Sequence, residues 1–158
     1  MAEHRMDRRE FLAGTATLMV MVTPLSLLAG GCSSESAIKA GLPAEVGFKD
    51  GHLILDLTQP RFRALTLVGD GVKLEIPARP KPLIVTRVSP TEVAAFSSIC
   101  PHGGYEVLLP ERGKLMCGSG HGGLFDLRGK VLHGPPKNDL EQFEARLDKN
   151  LVLVRYPE

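Results

Sequence analysis

Two short glycine-rich segments, each with one cysteine and one histidine, constrain this chain more than any other feature. The first is Cys100-Pro101-His102-Gly103-Gly104, the second is Cys117-Gly118-Ser119-Gly120-His121-Gly122-Gly123, and fourteen residues separate His102 from Cys117. Cysteine thiolates are soft metal ligands, and imidazoles suit several transition metals. Because the donors come as two pairs on two loops, we expect a fold that brings these loops together around a single metal centre.

The mixed donor set and the glycines indicate redox chemistry. A [2Fe–2S] cluster in which two imidazoles replace two cysteinates on one iron has a raised reduction potential. Glycine accepts positive φ and leaves its N–H group unobstructed, so a glycine-rich backbone can wrap closely around sulfur atoms and hydrogen-bond them. Such hydrogen bonds help to set the potential.

These motifs resemble the Rieske iron–sulfur proteins, particularly the quinol-oxidising subunits of cytochrome bc-type complexes. The resemblance runs from about Leu83 to Glu158 and rests on CPHGG at 100–104, CGSGHGGLFD at 117–126, and the trailing Gly134-Pro135-Pro136. It implies one [2Fe–2S] cluster per chain, covered by the loop at Gly134 to Pro136, which we call the proline-bearing loop. The ligands that it implies are Cys100, His102, Cys117 and His121.

The second ligand loop departs from the family in its spacing. The family usually has two residues between this cysteine and histidine, whereas this chain has Gly118, Ser119 and Gly120. We expect the extra residue to be absorbed as a bulge, because glycine flanks it on both sides. His121 is therefore kept as a ligand.

Other departures concern a disulfide that often links the two loops in members that work with quinols, and two hydroxyl groups of high-potential members. Tyr105 stands where the first cysteine of the inter-loop disulfide would fall, and no cysteine lies between Cys117 and His121. Packing and hydrogen bonds must then hold the loops together. Gly123 and Phe125 stand where high-potential members have a serine and a tyrosine that bond to sulfur, so we expect a potential below the upper end of the Rieske range.

The remaining histidines are weaker ligand candidates. His133 is the second choice for the fourth ligand, but it precedes the proline loop and lies outside a glycine loop. His52 and His4 are interpreted as surface residues. The same four donors could instead hold a structural zinc ion, which we disfavour because such sites are usually tighter and contain fewer glycines.

The N-terminal residues 1–32 have the pattern of an export signal or membrane anchor. Residues 1–10 are rich in charge, and Phe11 to Ser34 carry none; this is the order of a targeting segment. Arg8-Arg9 before Phe11-Leu12 resembles the twin-arginine signal, a route that suits a protein that acquires its cluster in the cytoplasm. We therefore expect use of the twin-arginine export machinery.

Three alternatives remain for how the N-terminal segment is processed at its end. Leu27 to Cys32 resembles a bacterial lipobox with one extra glycine, which would make the protein a lipoprotein lipidated at Cys32. An uncleaved anchor is feasible because about 20 residues span a bilayer core, and cleavage to a soluble form is the third alternative. We expect a location in the periplasm or on the outer face of the cytoplasmic membrane.

Residues 33–47 are predicted to be a linker, and residues 48–158 an all-β Rieske domain. Short apolar runs separated by turn residues predict an antiparallel β-sandwich of roughly nine strands with an inserted cluster-binding subdomain at about 95–137. Predicted hairpins join Arg61–Val68 to Val72–Ile76, Leu83–Val88 to Glu92–Ser97, and Phe143–Leu147 to Leu151–Val154.

Charge and cysteine content narrow the function. With 19 basic and 18 acidic side chains the net charge is +1, so no nucleic-acid surface is indicated. Three cysteines give no even disulfide framework. We expect an electron-transfer subunit of an oxidoreductase complex rather than a stand-alone enzyme, because both irons would be fully coordinated.

Three function classes remain. The first is a membrane-tethered subunit that passes single electrons from quinol or a redox enzyme to a cytochrome. Its expected partners are a cytochrome b-type or other redox subunit and a cytochrome c acceptor. The second is the small Rieske subunit of a non-quinol oxidase, similar to that of arsenite oxidase. The third is the structural zinc protein.

Overall fold

The computed structural model describes residues 42–76 and 81–156. Within these ranges the chain forms short strands and one 3₁₀ helix, Pro60–Thr66. The strands are β1 (Val46–Lys49), β2 (His52–Asp56), β3 (Gly71–Leu74), β4 (Leu83–Arg87), β5 (Val93–Ser97), β6 (Leu115–Met116), β7 (Leu124–Phe125), β8 (Val131–His133), β9 (Gln142–Phe143), β10 (Ala145–Asp148) and β11 (Leu151–Arg155).

Three antiparallel sheets organise these strands. The first has the order β1-β2-β11-β10, the second β3-β4-β5-β9, and the third β6-β7-β8. Strands β2 and β11 alternate buried with less buried residues, which is the period of a strand with one face on a core. Their buried residues, such as Leu55 and Val152, join Val85 and Ala95 of the second sheet in one apolar core.

The second sheet contributes residues to two apolar cores, and the second of these cores also contains residues of the third sheet. Leu83 and Val85 of β4 face the first core, whereas Ile84 and Phe96 belong to a second core together with both candidate cysteines. A hydroxyl bond from Thr86 Oγ1 to the carbonyl of residue 127, 2.6 Å long, ties the second sheet to the chain beyond β7. The ligand loops are therefore connected to the central sheet by a shared core and by this hydrogen bond.

The all-β fold class predicted from sequence is confirmed. The predicted hairpin around residues 89–91 is present as β4 and β5, and the last hairpin is present as β10 and β11. Strand β1 begins at Val46, two residues before the predicted start of the domain.

The predicted strand at Arg61–Val68 is wrong. A 3₁₀ helix begins at Pro60, whose fixed φ suits the first position of a helix. Phe62 and Leu65 are its buried residues, and a spacing of three places them on one face of a 3₁₀ helix. The predicted hairpin at residues 69–71 is therefore also wrong, and β3 pairs with β4 instead.

The predicted signal or anchor segment and most of the predicted linker lie outside the described residues. Within 42–76 and 81–156, no helix is long and apolar enough to cross a membrane.

Candidate metal centre

The first ligand loop follows β5 directly and closes on itself. The N–H of Cys100 donates to the carbonyl of Tyr105 over 2.8 Å, and the N–H of Gly104 donates back to the carbonyl of Cys100 over 2.9 Å. Gly104 has φ +73°, a conformation that glycine adopts at little cost. The turn leaves Cys100 buried at its base and His102 exposed at its tip.

The second ligand loop connects β6 to β7. The N–H of Cys117 donates to the carbonyl of Gly123 over 2.9 Å and closes the loop. Gly120 and Gly122, on either side of His121, both have positive φ, at +75° and +82°. These two glycines accommodate the longer spacing and leave His121 half-buried beside Cys117.

Main-chain hydrogen bonds join the two loops. The N–H of Gly118 donates to the carbonyl of Glu106 over 2.8 Å, and the N–H of Leu108 donates to the carbonyl of Met116 over 2.9 Å. An isolated bridge also pairs Val107 with Cys117. Both candidate cysteines are free thiols, so main-chain hydrogen bonds rather than a disulfide hold the two loops together.

The structure brings three of the four predicted ligands close together, and the fourth contacts one of them. Donor atoms of Cys100, Cys117 and His121 lie within 4.8 Å of one another, and Cys117 Sγ is 3.3 Å from His121 Nε2. The fourth residue, His102, lies further out, with its Nδ1 3.4 Å from His121 Nε2. The two rings meet edge to face, with centroids 4.8 Å apart and planes at 86°.

The electrostatics of the two thiols differ. Burial raises the pKa of Cys100, neighbouring Cys117 raises it further, and the N–H groups of His102 and Gly103 only partly oppose this. Burial also acts to raise the pKa of Cys117, but the Ser119 hydroxyl and N–H, together with a hydrogen bond to Cys100, lower it and prevail. Two buried sulfurs side by side cannot both carry a charge cheaply without a cation between them, so the pair suits metal binding.

A comparison with protein families shows which family the chain belongs to. The family model for the Rieske [2Fe-2S] domain matches residues 62–144. The chain belongs to the Rieske [2Fe–2S] family. The predicted family and the predicted [2Fe–2S] cofactor are thereby confirmed, and the zinc alternative is disfavoured. A Rieske domain makes this chain an electron-transfer iron–sulfur protein that works with redox partners.

Solved structures of other Rieske proteins are similar to part of this chain. The cyanobacterial plasma membrane Rieske protein PetC3 from Synechocystis PCC 6803 is 31% identical over 54% of this chain and 85% of its own, with TM-score 0.44. A quaternary ammonium Rieske monooxygenase is 16% identical over 61% of this chain and 29% of its own, with TM-score 0.51, a likeness of fold alone.

A third similar structure is a ferredoxin. The ferredoxin of carbazole 1,9a-dioxygenase from Nocardioides aromaticivorans IC177 is 20% identical over 58% of this chain and 88% of its own, with TM-score 0.46. A search of curated protein sequences gives no match.

The proline-bearing loop of this Rieske domain lies over the second ligand loop, as the resemblance implies. Gly134 has φ +103°, and a Cβ there would stand 2.7 Å from the carbonyl oxygen of Gly122. Pro136 is buried, with its Cγ 3.1 Å from where a Cβ on Gly123 would stand. This close backbone contact requires glycine at position 134.

The donor set fits a Rieske cluster. The two thiols are buried, at 0% and 1% exposure, behind two more accessible imidazoles, and Gly123 leaves the space beside His121 and Cys117 free of a side chain. His133 lies outside this group; it is exposed, and its Nδ1 is 3.4 Å from the carbonyl oxygen of Gly122.

Sequence reasoning missed one contact of the site. Ser119 Oγ lies 3.3 Å from Cys117 Sγ, although the sequence marked Ser119 only as part of a longer spacing. A hydroxyl two residues after a cysteine in a glycine-rich turn was the signal available, because side chains of this kind often bond locally.

Proposed function

We propose that this chain is an exported, membrane-tethered Rieske subunit that passes single electrons from quinol or a redox enzyme to a cytochrome. The observation that carries the proposal is the difference in burial between the candidate cysteines and His102. Both candidate cysteines are buried, whereas His102 is exposed at the loop tip. An electron carrier needs its cofactor near the surface and its sulfurs protected from water.

Cys100 and Cys117 would hold one iron and His102 and His121 the other. Bound there, the cluster supplies a one-electron couple. Of the two imidazoles, His102 is the exposed one, and its Nδ1 lies 3.4 Å from His121 Nε2. His121 Nδ1 accepts the N–H of Gly123 over 3.2 Å. We therefore assign contact with an incoming donor, such as a quinol hydroxyl, to His102.

Exposed apolar side chains lie on or next to the two ligand loops along the chain and support docking of a redox partner. Tyr105 is 57% exposed on the first loop, Leu108 is 47% exposed on the segment that follows, and Met116 is 44% exposed just before the second. The centre of a protein interface is enriched in aromatic residues and methionine. Transient partners of an electron carrier need such a surface around the redox centre.

Export and tethering rest on the N-terminal sequence. The paired Arg8-Arg9 and the uncharged stretch from Phe11 to Ser34 support the twin-arginine route. Changing both arginines to lysine should leave the folded protein in the cytoplasmic fraction. Cys32→Ala should release exported protein from the membrane if Cys32 carries a lipid, and leave it bound if residues 11–34 form an uncleaved anchor.

A pH-dependent redox titration of the purified chain tests the quinol role. A neutral imidazole that loses a proton when the centre is oxidised couples the potential to pH. We expect the potential to fall as pH rises through the neutral and alkaline range, and a cytochrome b to co-purify. A pH-independent potential would count against quinol as the donor.

The second candidate is the small subunit of a non-quinol oxidase, comparable to that of arsenite oxidase. Gly123 and Phe125 carry no hydroxyl beside the candidate ligand sulfurs, and a Cβ at Gly123 would stand 2.9 Å from His121 Cε1. Fewer hydrogen bonds to sulfur favour a lower potential. Co-purification with a large oxidase subunit instead of a cytochrome b would support this function.

A further inference from the structure

The extra residue of the second ligand loop places a hydroxyl beside a candidate ligand. Ser119 Oγ is 3.3 Å from Cys117 Sγ, within the range of a hydrogen bond to sulfur. A metal-bound cysteine is a thiolate and can only accept a hydrogen bond. The hydroxyl of Ser119 must therefore be the donor when Cys117 binds iron.

The loop backbone fixes this geometry. On one side, the N–H of Gly118 donates to the carbonyl of Glu106 on the first loop over 2.8 Å. On the other, Gly120 adopts φ +75°, and its N–H donates to the carbonyl of Cys117 over 3.4 Å. Ser119 is half-buried between these anchors, so its hydroxyl is partly shielded from competing water.

We propose that Ser119 is a positioning residue that donates a hydrogen bond to the Cys117 sulfur and thereby raises the reduction potential of the cluster. Reduction adds one electron to the cluster, so its ligand sulfurs gain negative charge and become better acceptors. A fixed donor stabilises the reduced form more than the oxidised form. The proton stays on the hydroxyl throughout. The inference rests on the proposed ligand role of Cys117 and not on which partner supplies the electron.

Neighbouring positions cannot supply this bond. Phe125 is fully buried and has no hydroxyl, and a Cβ at Gly123 would stand 2.9 Å from His121 Cε1 and 3.3 Å from Cys117 Cβ. Among the residues that the structure describes, Ser119 is the hydroxyl that contacts a candidate ligand sulfur. The longer spacing thus gives this loop a donor of its own.

Potentiometric titration of the purified full chain, followed by electron paramagnetic resonance, tests the inference. Ser119→Ala removes the hydroxyl, Ser119→Thr keeps one, and Ser89→Ala is a matched control in the turn between β4 and β5. Ser119→Ala should lower the reduction equilibrium constant about tenfold, a shift of about 59 mV to lower potential for one electron. Ser119→Thr should recover most of the shift, and Ser89→Ala should match the wild type.

An unchanged potential in Ser119→Ala with a full iron content would overturn the inference, as would a Ser119→Thr potential equal to that of the alanine variant. If Ser119→Ala fails to hold its cluster, electron–nuclear double resonance of the wild type in D₂O decides. The hydroxyl deuteron should couple to the reduced cluster, and this coupling should persist in Ser119→Thr. No such coupling in the wild type would equally refute the proposal. Neither result depends on quinol or on a cytochrome.

Discussion

The base region (residues 42–76, 81–97 and 137–156) and the ligand-loop region (residues 98–136) are stabilised in different ways. Strands of the two base sheets mostly run for four or five residues and enclose a core of sixteen buried residues, from Val46 to Tyr156. Strands of the ligand-loop sheet run for two or three residues. The core beneath them has eight residues, and two of these are the candidate ligand cysteines.

This difference indicates which region depends on the cofactor. A fully buried leucine, valine or phenylalanine contributes about 1.5–3 kcal/mol, so the base core supplies more apolar stabilisation than the core beneath the ligand loops. The ligand-loop region has few such residues and many turns with positive φ, and metal binding there would contribute directly to folding. We expect the base to stay folded when iron is absent and the loops to loosen.

The largest expected effect is the loss of the cofactor on removal of a candidate ligand. Cys117→Ala should purify without iron or acid-labile sulfide, because the remaining donors no longer complete the set. Far-UV circular dichroism should retain the β signal of the base. The matched control is Cys32→Ala, which changes the third cysteine of the sequence and should keep full iron. A stoichiometric cluster in Cys117→Ala would refute the ligand assignment.

A cavity in the base core should lower the free energy of unfolding whether or not iron is bound. Leu55 is fully buried between the base sheets, so Leu55→Ala should lower the free energy of unfolding by about 2–5 kcal/mol. Leu67 is 61% exposed, and Leu67→Ala should change it by less than about 0.5 kcal/mol. Urea unfolding of iron-loaded and iron-free protein measures both. If Leu55→Ala destabilises only the loaded form, the base does not fold independently of the loops.

The proline-bearing loop should be sensitive to a single methyl group. Gly134→Ala introduces a Cβ about 2.7 Å from the carbonyl oxygen of Gly122, so the loop must move off the second ligand loop. Gly69 has a comparable φ of +95° but nothing within 4 Å of its Cβ position. Both substitutions should cost about 1–2 kcal/mol for the left-handed backbone, and Gly134→Ala should cost about 1–3 kcal/mol more.

The rate at which the visible absorbance of the cluster bleaches in air measures how well the proline-bearing loop protects the site. The cluster of Gly134→Ala should bleach several-fold faster than that of Gly69→Ala. Equal bleaching rates would mean that the loop does not protect the site.

The smallest effect concerns an ion pair between the two regions. Lys73 of β3 pairs with Glu106 of the ligand-loop region and also lies 3.4 Å from Glu75. Lys73→Met should cost about 0.2–1 kcal/mol at neutral pH. Lys81, 3.6 Å from Glu141 and 55% exposed, is the matched control, and Lys81→Met should cost less.

The pH dependence of this pair has a defined sign. The hydrogen bond that Lys73 donates to Glu106, followed by the smaller effect of Glu75, raises the pKa of Lys73 above 10.5. The stabilisation is therefore complete below the unfolded pKa and is lost as pH rises through the folded one. Unfolding titrations of the wild type and Lys73→Met should converge only once pH has risen through the folded pKa of Lys73, which lies above about 10.5. A gap that persists there would assign the effect to packing of the lysine stem.

The candidate site was predictable from sequence because its residues are close along the chain. Cys100 with His102, and Cys117 with His121, each lie within one turn, and the structure brings the two turns together. The second base hairpin was predictable for a similar reason, since Ser89-Pro90-Thr91 separates two apolar runs.

Other features depend on tertiary contacts that no local pattern encodes. Arg61–Val68 contains apolar residues consistent with a strand, but Pro60 and the buried pair Phe62 and Leu65 favour a 3₁₀ helix against the base core. The contact between Ser119 and Cys117 depends on how the longer turn closes, which the spacing alone leaves open. Edge pairing of β3 with β4 likewise depends on the fold as a whole.

Pulsed electron paramagnetic resonance tests the central claim most directly. The sample is the reduced protein, produced in cells that are supplied with ¹⁵N-labelled histidine. If Cys100 and Cys117 hold one iron and His102 and His121 the other, two strongly coupled histidine nitrogens should appear, and His133→Asn should retain both. A spectrum with one coupled nitrogen, or with none, would contradict the claim that these two loops together hold a Rieske cluster.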